Sequence, residues 1–386
     1  MTVEQRAYAE FSLGVHRRAH ARRLPVDAVI ELTHRCPLAC VHCYNNLPPG
    51  DRAAAGRELS TEEHFRLIDE IAEAGALWVL LTGGEVLTRG DFAEIYLHAK
   101  RRGLLVILFT NGVLLTPALA DLLAEYRPFY TEITLYGSTA ETYERVTRVP
   151  GSFARCLRGI RLLRERAVPL RLKSMLLTIN QHERESMRRL AEEEFGCAFK
   201  VDPMIHGRLD GGAEPLRYRL SAERIVAIDR EDPARAAEWR RLAARLGGAA
   251  GGERTRYRCG GGTMAFTVDP YGMLRLCSLS AGEGFDVRRG GFRAGWEEWM
   301  PCIRGAEITR RTKCTDCSLA PLCGMCPAQG MLAGGDGETP VDFLCRVAHL
   351  RARAFGMEIA PHGPCEYCVE DAPPPRRAEV GNVGAV

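Results

Sequence analysis

Three cysteines, Cys36, Cys40 and Cys43, stand in the spacing Cys-x3-Cys-x2-Cys. Thiolates this close can hold three irons of a cubane, and the fourth iron is then left open to bind a small molecule. A zinc ion that recruits His34 or His42 as its fourth ligand is the competing chemistry. A second set begins with Cys259, continues as Gly272-x4-Cys277 and Cys314-x2-Cys317-x5-Cys323-x2-Cys326, and ends at Cys345. For the Cys314–Cys326 run alone, a zinc ribbon is the alternative to a cluster. Cys302 is available by sequence as a further metal ligand, although a lone cysteine in a tryptophan-rich stretch also reads as a small packed residue. Cys156 and Cys197 also read as packing residues. Cys365-x2-Cys368 fits a redox pair, a stray metal site or an additional ligand pair, and is left unassigned.

These thiols must be positioned by regular elements. From Asp27 onward, short apolar runs rich in β-formers alternate with stretches of helical period, the pattern of βα units around a parallel sheet. The expected strands are Val29–Thr33, Leu77–Thr82, Leu104–Thr110, Thr131–Tyr136, Leu170–Thr178 and Phe199–Met204. Ser60 with Glu63 and Ser138 with Glu141 predict capping boxes, and Thr116-Pro117 puts proline at a first helical position. Six such units predict an α/β fold, a partial (β/α)6 TIM-like barrel whose functional groups gather at the C-terminal ends of the strands. A cysteine-rich, loop-dominated auxiliary domain with a β-hairpin over Thr263–Leu276, turning at Pro270-Tyr271-Gly272, is expected to follow. The resulting division is a basic segment over 1–25, the barrel over 26–215, a helical linker over 216–254, the cysteine-rich domain over 255–350 and a C-terminal segment over 351–386. Gly247, Gly248, Gly251 and Gly252 read as a flexible join, and the tail after Cys368 reads as disordered.

The chain has 386 residues, 46% of them hydrophobic and 26% charged, enough to bury an ordinary globular core. A formal charge of +3 supplies no broad field for a polyanion, so nucleic acid is not an expected partner. No apolar run in 1–25 is long enough for a signal or membrane segment, which predicts a cytoplasmic protein. In that reducing compartment the 15 cysteines favour metal ligation over disulfides.

The first cysteine motif resembles the signature of the radical S-adenosylmethionine superfamily, and further motifs follow in order. Thr82-Gly83-Gly84-Glu85 resembles the Gly-Gly-Glu segment that receives the cofactor's methionine amino group. Glycines also let backbone approach a ligand, and a carboxylate accepts from an ammonium. Thr110-Asn111-Gly112 and Tyr136-Gly137-Ser138 fall where the family contacts the ribose and carboxylate, although both are ordinary turns after strands. The resemblance places His42 and Tyr44 near the adenine. Lys173 and Ser174 are weaker candidates. Tyr130, Tyr136, Asp202, His206 and Asp210 lie near expected strand ends, where a substrate cavity would open.

The later cysteines resemble the SPASM extension, which carries two auxiliary [4Fe–4S] clusters. Carried over by position, the resemblance gives Cys259, Cys277 and Cys326 to one and Cys314, Cys317, Cys323 and Cys345 to the other. Cys323-x2-Cys326 is one residue shorter than the family's usual spacing. The resemblance thus implies three [4Fe–4S] clusters and S-adenosylmethionine, reductive cleavage to a 5'-deoxyadenosyl radical, and hydrogen abstraction from a substrate. Most relatives with this extension modify peptides, so the expected function is maturation of a ribosomally made peptide or a protein side chain. The alternatives are a small-molecule dehydrogenase or tetrapyrrole-precursor decarboxylase of the same superfamily, and a zinc-stabilised binding module. The short stretch before the first strand implies a separate leader-peptide recognition protein as partner, with 6–23 as a possible docking helix. A flavodoxin- or ferredoxin-type reductant is the other expected partner.

Overall fold

A computed structural model describes residues 8–245, 255–280, 282 and 284–368; the glycine join and the tail after Cys368 lie outside them. Six parallel strands form in chain order: β1 (Asp27–Thr33), β2 (Trp78–Gly83), β3 (Leu105–Thr110), β4 (Tyr130–Thr134), β5 (Leu170–Met175) and β6 (Ala198–Asp202). Each pairs in parallel with the strand before it. Alternation divides their side chains between two faces. Ile30, Leu32, Val79, Leu81, Val106 and Leu108 are fully buried, each stabilising the fold by about 1.5–3 kcal/mol. Val29, Leu80 and Phe109, on the opposite face, line the barrel's interior cavity.

Local signals set the helices between strands. The Thr61–Glu73 helix starts at Ser60 in a complete capping box with Glu63, and the Pro117–Glu125 helix starts at Thr116 with proline at its first turn. The Ser138–Glu141 box does not form. The N-cap is Thr139, whose hydroxyl accepts from the Thr142 amide. Ser138 precedes the cap, and its amide and hydroxyl donate to Glu183 at 2.6 and 2.9 Å; the Thr139 hydroxyl donates to the same carboxylate at 2.7 Å while it accepts from the helix. The helix Tyr8–Arg22 stacks His16 on Trp78 and pairs it with Asp27, at the N-terminal ends of β2 and β1.

The hairpin β7 (Ala265–Val268) and β8 (Met273–Arg275) forms where expected, but it is not a free-standing element. β7 pairs in parallel with β1, and with β9 (Phe285–Asp286) the sheet reaches nine strands in the order β6-β5-β4-β3-β2-β1-β7-β8-β9. Main-chain pairing of this kind depends on contacts distant in sequence, which local pattern does not carry.

The chain divides into two compact units: Met1–Ser221 with Arg254–Ile308 and Cys326–Thr339, and Ala222–Glu253 with Thr309–Met325 and Pro340–Val386. Within the second, the helices Ala222–Glu231, Pro233–Arg245 and Asp342–Ala354 surround a buried ion pair in which Arg351 and Arg235 both donate to Asp229. Leu319, Leu322, Ala348 and Ala352 form its apolar core. Among the described residues no helix is long and apolar enough to cross a membrane.

Candidate radical S-adenosylmethionine site

Cys36, Cys40 and Cys43 occupy the loop that leaves the C-terminal end of β1. Backbone bonds pin this loop: Cys36 N–H donates to Leu47 O (2.9 Å), Ala39 N–H to Thr147 O and Val41 N–H to Val146 O (both 3.0 Å). At its start, Arg35 donates to Glu58 at 2.9 and 3.0 Å. Glu58 also receives the Thr33 hydroxyl and Arg89.

Burial, and then the Glu85 carboxylate, push the Cys36 thiol up to about 12. Burial followed by the neighbouring thiols raises Cys40, and burial raises Cys43. These groups therefore stay protonated until a metal takes them as thiolates. The Leu38 amide and Asn111 Nδ2 each lie 3.5 Å from Cys36 Sγ, aimed at a sulfur that would carry negative charge. Among the described residues, Cys36, Cys40 and Cys43 form no group with His34 or His42 whose ligand atoms all lie within 4.8 Å of one another.

Above the loop opens a cavity of about 410 Å³ at the C-terminal ends of the strands. His42, Tyr44, Gly83, Gly84, Asn111 and Tyr136 all line it. Burial, then Lys173, lowers His42 to about 4, so its imidazole is neutral. His42 Nδ1 is buried with no partner, as expected of a group whose partner is a ligand. Tyr44 donates to Glu31 at 3.3 Å, and Tyr136 packs on His42 with ring centres 5.1 Å apart.

Gly83 and Gly84 serve a second contact besides the cavity wall. A Cβ on Gly83, at φ +140°, would lie 2.1 Å from Thr33 O, and one on Gly84 would lie 2.4 Å from His34 O. The glycines thus let β2 crowd the backbone leading into the cysteine loop. Glu85 is buried, and its carboxylate accepts from Thr110 Oγ1 (2.7 Å), the Asn111 amide (2.6 Å) and the Leu87 amide (3.1 Å). It ties the ends of β2 and β3 together.

Ser138 lies outside the cavity lining, spent on Glu183. Burial tends to raise Glu183, but the Thr142, Thr139 and Ser138 donors outweigh it and bring the carboxyl from 4.5 down to about 2. Stability from this group is therefore present above about pH 4.5 and is lost as pH falls through about 2. Glu183→Gln is expected to cost about 2 kcal/mol at pH 7. In urea unfolding, the gap between wild type and variant should narrow as pH drops below 4.5; a gap independent of pH would contradict the assignment.

Asp202 and His206 line the cavity, as do Lys173, Met175, Ser278 and Leu279. Ser278 and Leu279 were not read from sequence, since only the hairpin's pairing with β1 brings them here. Ser174 is buried and lies outside the lining. Tyr130 begins β4 and so sits at the opposite end, its ring under the Arg171 guanidinium at 4.1 Å. Asp210 binds Arg208 in a separate outer pocket.

In the first unit, Cys277 feels Cys326 and Cys259, so these three thiols are neighbours, and Tyr257 shares their surroundings. Cys302, read from sequence as a packed residue, is instead exposed, and its thiol donates to Glu298 O in its own helical turn. In the second unit, Cys323 feels Cys314 and Cys317, while Cys345 feels Cys365 and Cys323.

The chain belongs to the radical SAM superfamily, whose profile matches residues 30–193; it is an enzyme of the class that uses a [4Fe–4S] cluster and S-adenosylmethionine. It is 30% identical over 329 residues to the AdoMet-dependent heme synthase of Methanosarcina barkeri, covering 79% of this chain and 92% of that one. It is 35% identical over 208 residues to the PqqA peptide cyclase of Ruegeria pomeroyi, spanning 53% of this chain and only 55% of the cyclase. The structure of Streptococcus suis SuiB bound to the precursor peptide SuiA superposes with a TM-score of 0.63 at 15% identity, over 86% of this chain and 80% of that one. At that identity the likeness establishes the fold.

Proposed function

We propose that this enzyme modifies a ribosomally made peptide by hydrogen abstraction in the cavity above the Cys36–Cys43 loop. The observation that carries the reading is the convergence of that loop, the Gly83-Gly84 wall, Asn111 and the unpartnered His42 on one cavity of about 410 Å³. A cluster and S-adenosylmethionine bound there would supply one-electron reductive cleavage of the cofactor to methionine and a 5'-deoxyadenosyl radical. Cys36, Cys40 and Cys43 hold the cluster, and Asn111 and the Leu38 amide stabilise the charge on Cys36. Gly83, Gly84, His42, Tyr44 and Tyr136 form the cofactor's walls, while Glu85 and Ser138 hold the strand ends in place. Val29, Leu80, Phe109, Met175 and Leu279 keep water from the reacting centre.

Two auxiliary clusters complete the reading, on Cys259, Cys277 and Cys326 and on Cys314, Cys317, Cys323 and Cys345. The electron comes from a flavodoxin- or ferredoxin-type donor. An outer pocket of about 560 Å³ lies beside Cys40 and Cys43, bordered by Arg148, Arg208 and Arg217 and also by Asp210 and Glu214. Phe11 and Leu13, exposed on the Tyr8–Arg22 helix, offer a surface to a separate leader-recognition protein.

The heme synthase match runs along 92% of that relative, and this favours decarboxylation of a tetrapyrrole precursor as the second reading. The test is anaerobic reconstitution, iron and sulfide analysis, and a 5'-deoxyadenosine assay with dithionite. Wild type should hold about twelve irons and form deoxyadenosine, whereas Cys36→Ala/Cys40→Ala/Cys43→Ala should form none. Precursor peptide that raises deoxyadenosine and loses a labelled hydrogen supports the first reading; the same response to a propionate-bearing tetrapyrrole alone supports the second.

A further inference from the structure

Cys365 and Cys368 are not among the ligands assigned above, although Cys365 lies beside Cys345, and the fold gives both of them histidine neighbours. His349 stands on the Asp342–Ala354 helix, and His362 lies in the segment that returns over it. Cys365 Sγ and Cys368 Sγ are each 3.7 Å from His349 Nε2, and Cys368 Sγ is 3.5 and 3.9 Å from the two nitrogens of His362. One ligand atom from each of the four residues lies within 4.8 Å of all the others.

We infer that His349, His362, Cys365 and Cys368 form a mononuclear Cys2His2 zinc site. Zinc–sulfur bonds of about 2.3 Å and zinc–nitrogen bonds of about 2.0–2.1 Å make a tetrahedron with edges of about 3.3–3.8 Å, and the sulfur–nitrogen separations of 3.5–3.9 Å here come close to them. A cubane would hold its thiolates farther apart, each on its own iron. A Rieske-type centre would put the sulfurs on one iron and the nitrogens on the other, whereas here each thiol faces an imidazole.

The groups around the histidines agree. His349 Nδ1 lies 2.8 Å from Cys345 O, so this ring donates its Nδ1–H to a backbone carbonyl and turns Nε2 to both thiols. His362 Nδ1 lies 3.0 Å from Ala360 O and 3.5 Å from Cys368 Sγ, with Nε2 3.9 Å from that sulfur, so either nitrogen of this ring can be the ligand. His349, His362 and Cys365 are buried. Two thiolates and two neutral imidazoles around a divalent ion have no net charge, so the filled site can stay buried at little cost. Gly363 makes the turn between the ligand pairs, at φ +46° with Lys313 Cα 3.1 Å from where a Cβ would stand. Four protein ligands leave no open position, so the site is structural and ties 360–368 to the Asp342–Ala354 helix.

Cys345 is the competing thiol, its Sγ 3.7 Å from that of Cys365, and substitution separates the alternatives. The full chain, reconstituted anaerobically with iron, sulfide and zinc(II), should bind about one zinc in addition to its iron. Its zinc-edge X-ray absorption should show two sulfurs at about 2.3 Å and two nitrogens at about 2.0–2.1 Å. Cys365→Ser/Cys368→Ser and His362→Ala should each lose the zinc and keep wild-type iron, the retained iron reporting that the chain has folded. Cys345→Ser should keep the zinc. Wild type without zinc, or a Cys365→Ser/Cys368→Ser chain that keeps zinc or loses about four irons, would overturn the assignment.

Discussion

Alanine at Gly84 is expected to strip the first cluster from an otherwise folded chain. The added Cβ would stand 2.4 Å from His34 O, 2.6 Å from Arg35 O and 2.7 Å from His34 C, all of them backbone, so no side-chain rotation relieves the clash. What must move is the segment that enters the cysteine loop, together with the bonds from Gly84 N–H to Thr33 O and Glu85 N–H to Arg35 O. Overpacking of this kind costs about 1–3 kcal/mol. Here the displacement falls on cluster ligands, where about 1 Å is worth about a hundredfold in rate. Iron should fall by about four per chain and deoxyadenosine formation by about a hundredfold or more. Gly90→Ala is the matched control, since a Cβ there meets nothing within 4 Å. Full iron and activity in Gly84→Ala would mean that the loop is free to shift and the contact is unimportant.

Glu58→Ala is expected to cost the first unit about 3 kcal/mol. The Glu58 side chain is 3% exposed and holds the Thr33 hydroxyl, Arg35 and Arg89, the last itself only 7% exposed. Removing the carboxylate leaves one buried guanidinium, Arg89, and one half-buried, Arg35, short of a counter-charge. The estimate sits at the low end of the range for breaking a buried pair because Asp91 still pairs Arg89 at 2.6 Å. Glu58→Gln keeps an acceptor and should lose less. Urea unfolding measures both, and a loss under about 1 kcal/mol for the alanine variant would mean that solvent screens these charges as it does on a surface.

Much of the barrel was legible because its signals are local. Strand positions agree within a few residues with the apolar runs, and the Ser60–Glu63 box and the Thr116-Pro117 start formed as their residue types require. Ser138 is not the cap: it and Thr139 both donate to Glu183, far along the chain, and it is the Thr139 hydroxyl that also accepts from the helix. Tyr130 was grouped with the residues near strand ends that could line the cavity, but the expected strand Thr131–Tyr136 already begins after it, and it stands at the start of β4, away from the mouth. The spacing of Cys36, Cys40 and Cys43 pointed to a cluster by itself. The grouping of Cys365 and Cys368 with two histidines could not be read, since His349 belongs to a helical pattern and His362 to a turn, and only the folded chain brings them together.

The parallel pairing of β7 with β1 bears on how such a protein can be taken apart. Because β1 carries the loop of the first cluster, the main chain of Ala265–Val268 is a structural neighbour of the catalytic centre. A chain ended after the sixth βα unit would leave β1 with a row of unpaired amides and carbonyls, an invitation to aggregate. The segment bearing Cys259 and Cys277 is therefore woven into the scaffold, and grafting it between relatives would require exchanging the strand it leans on as well.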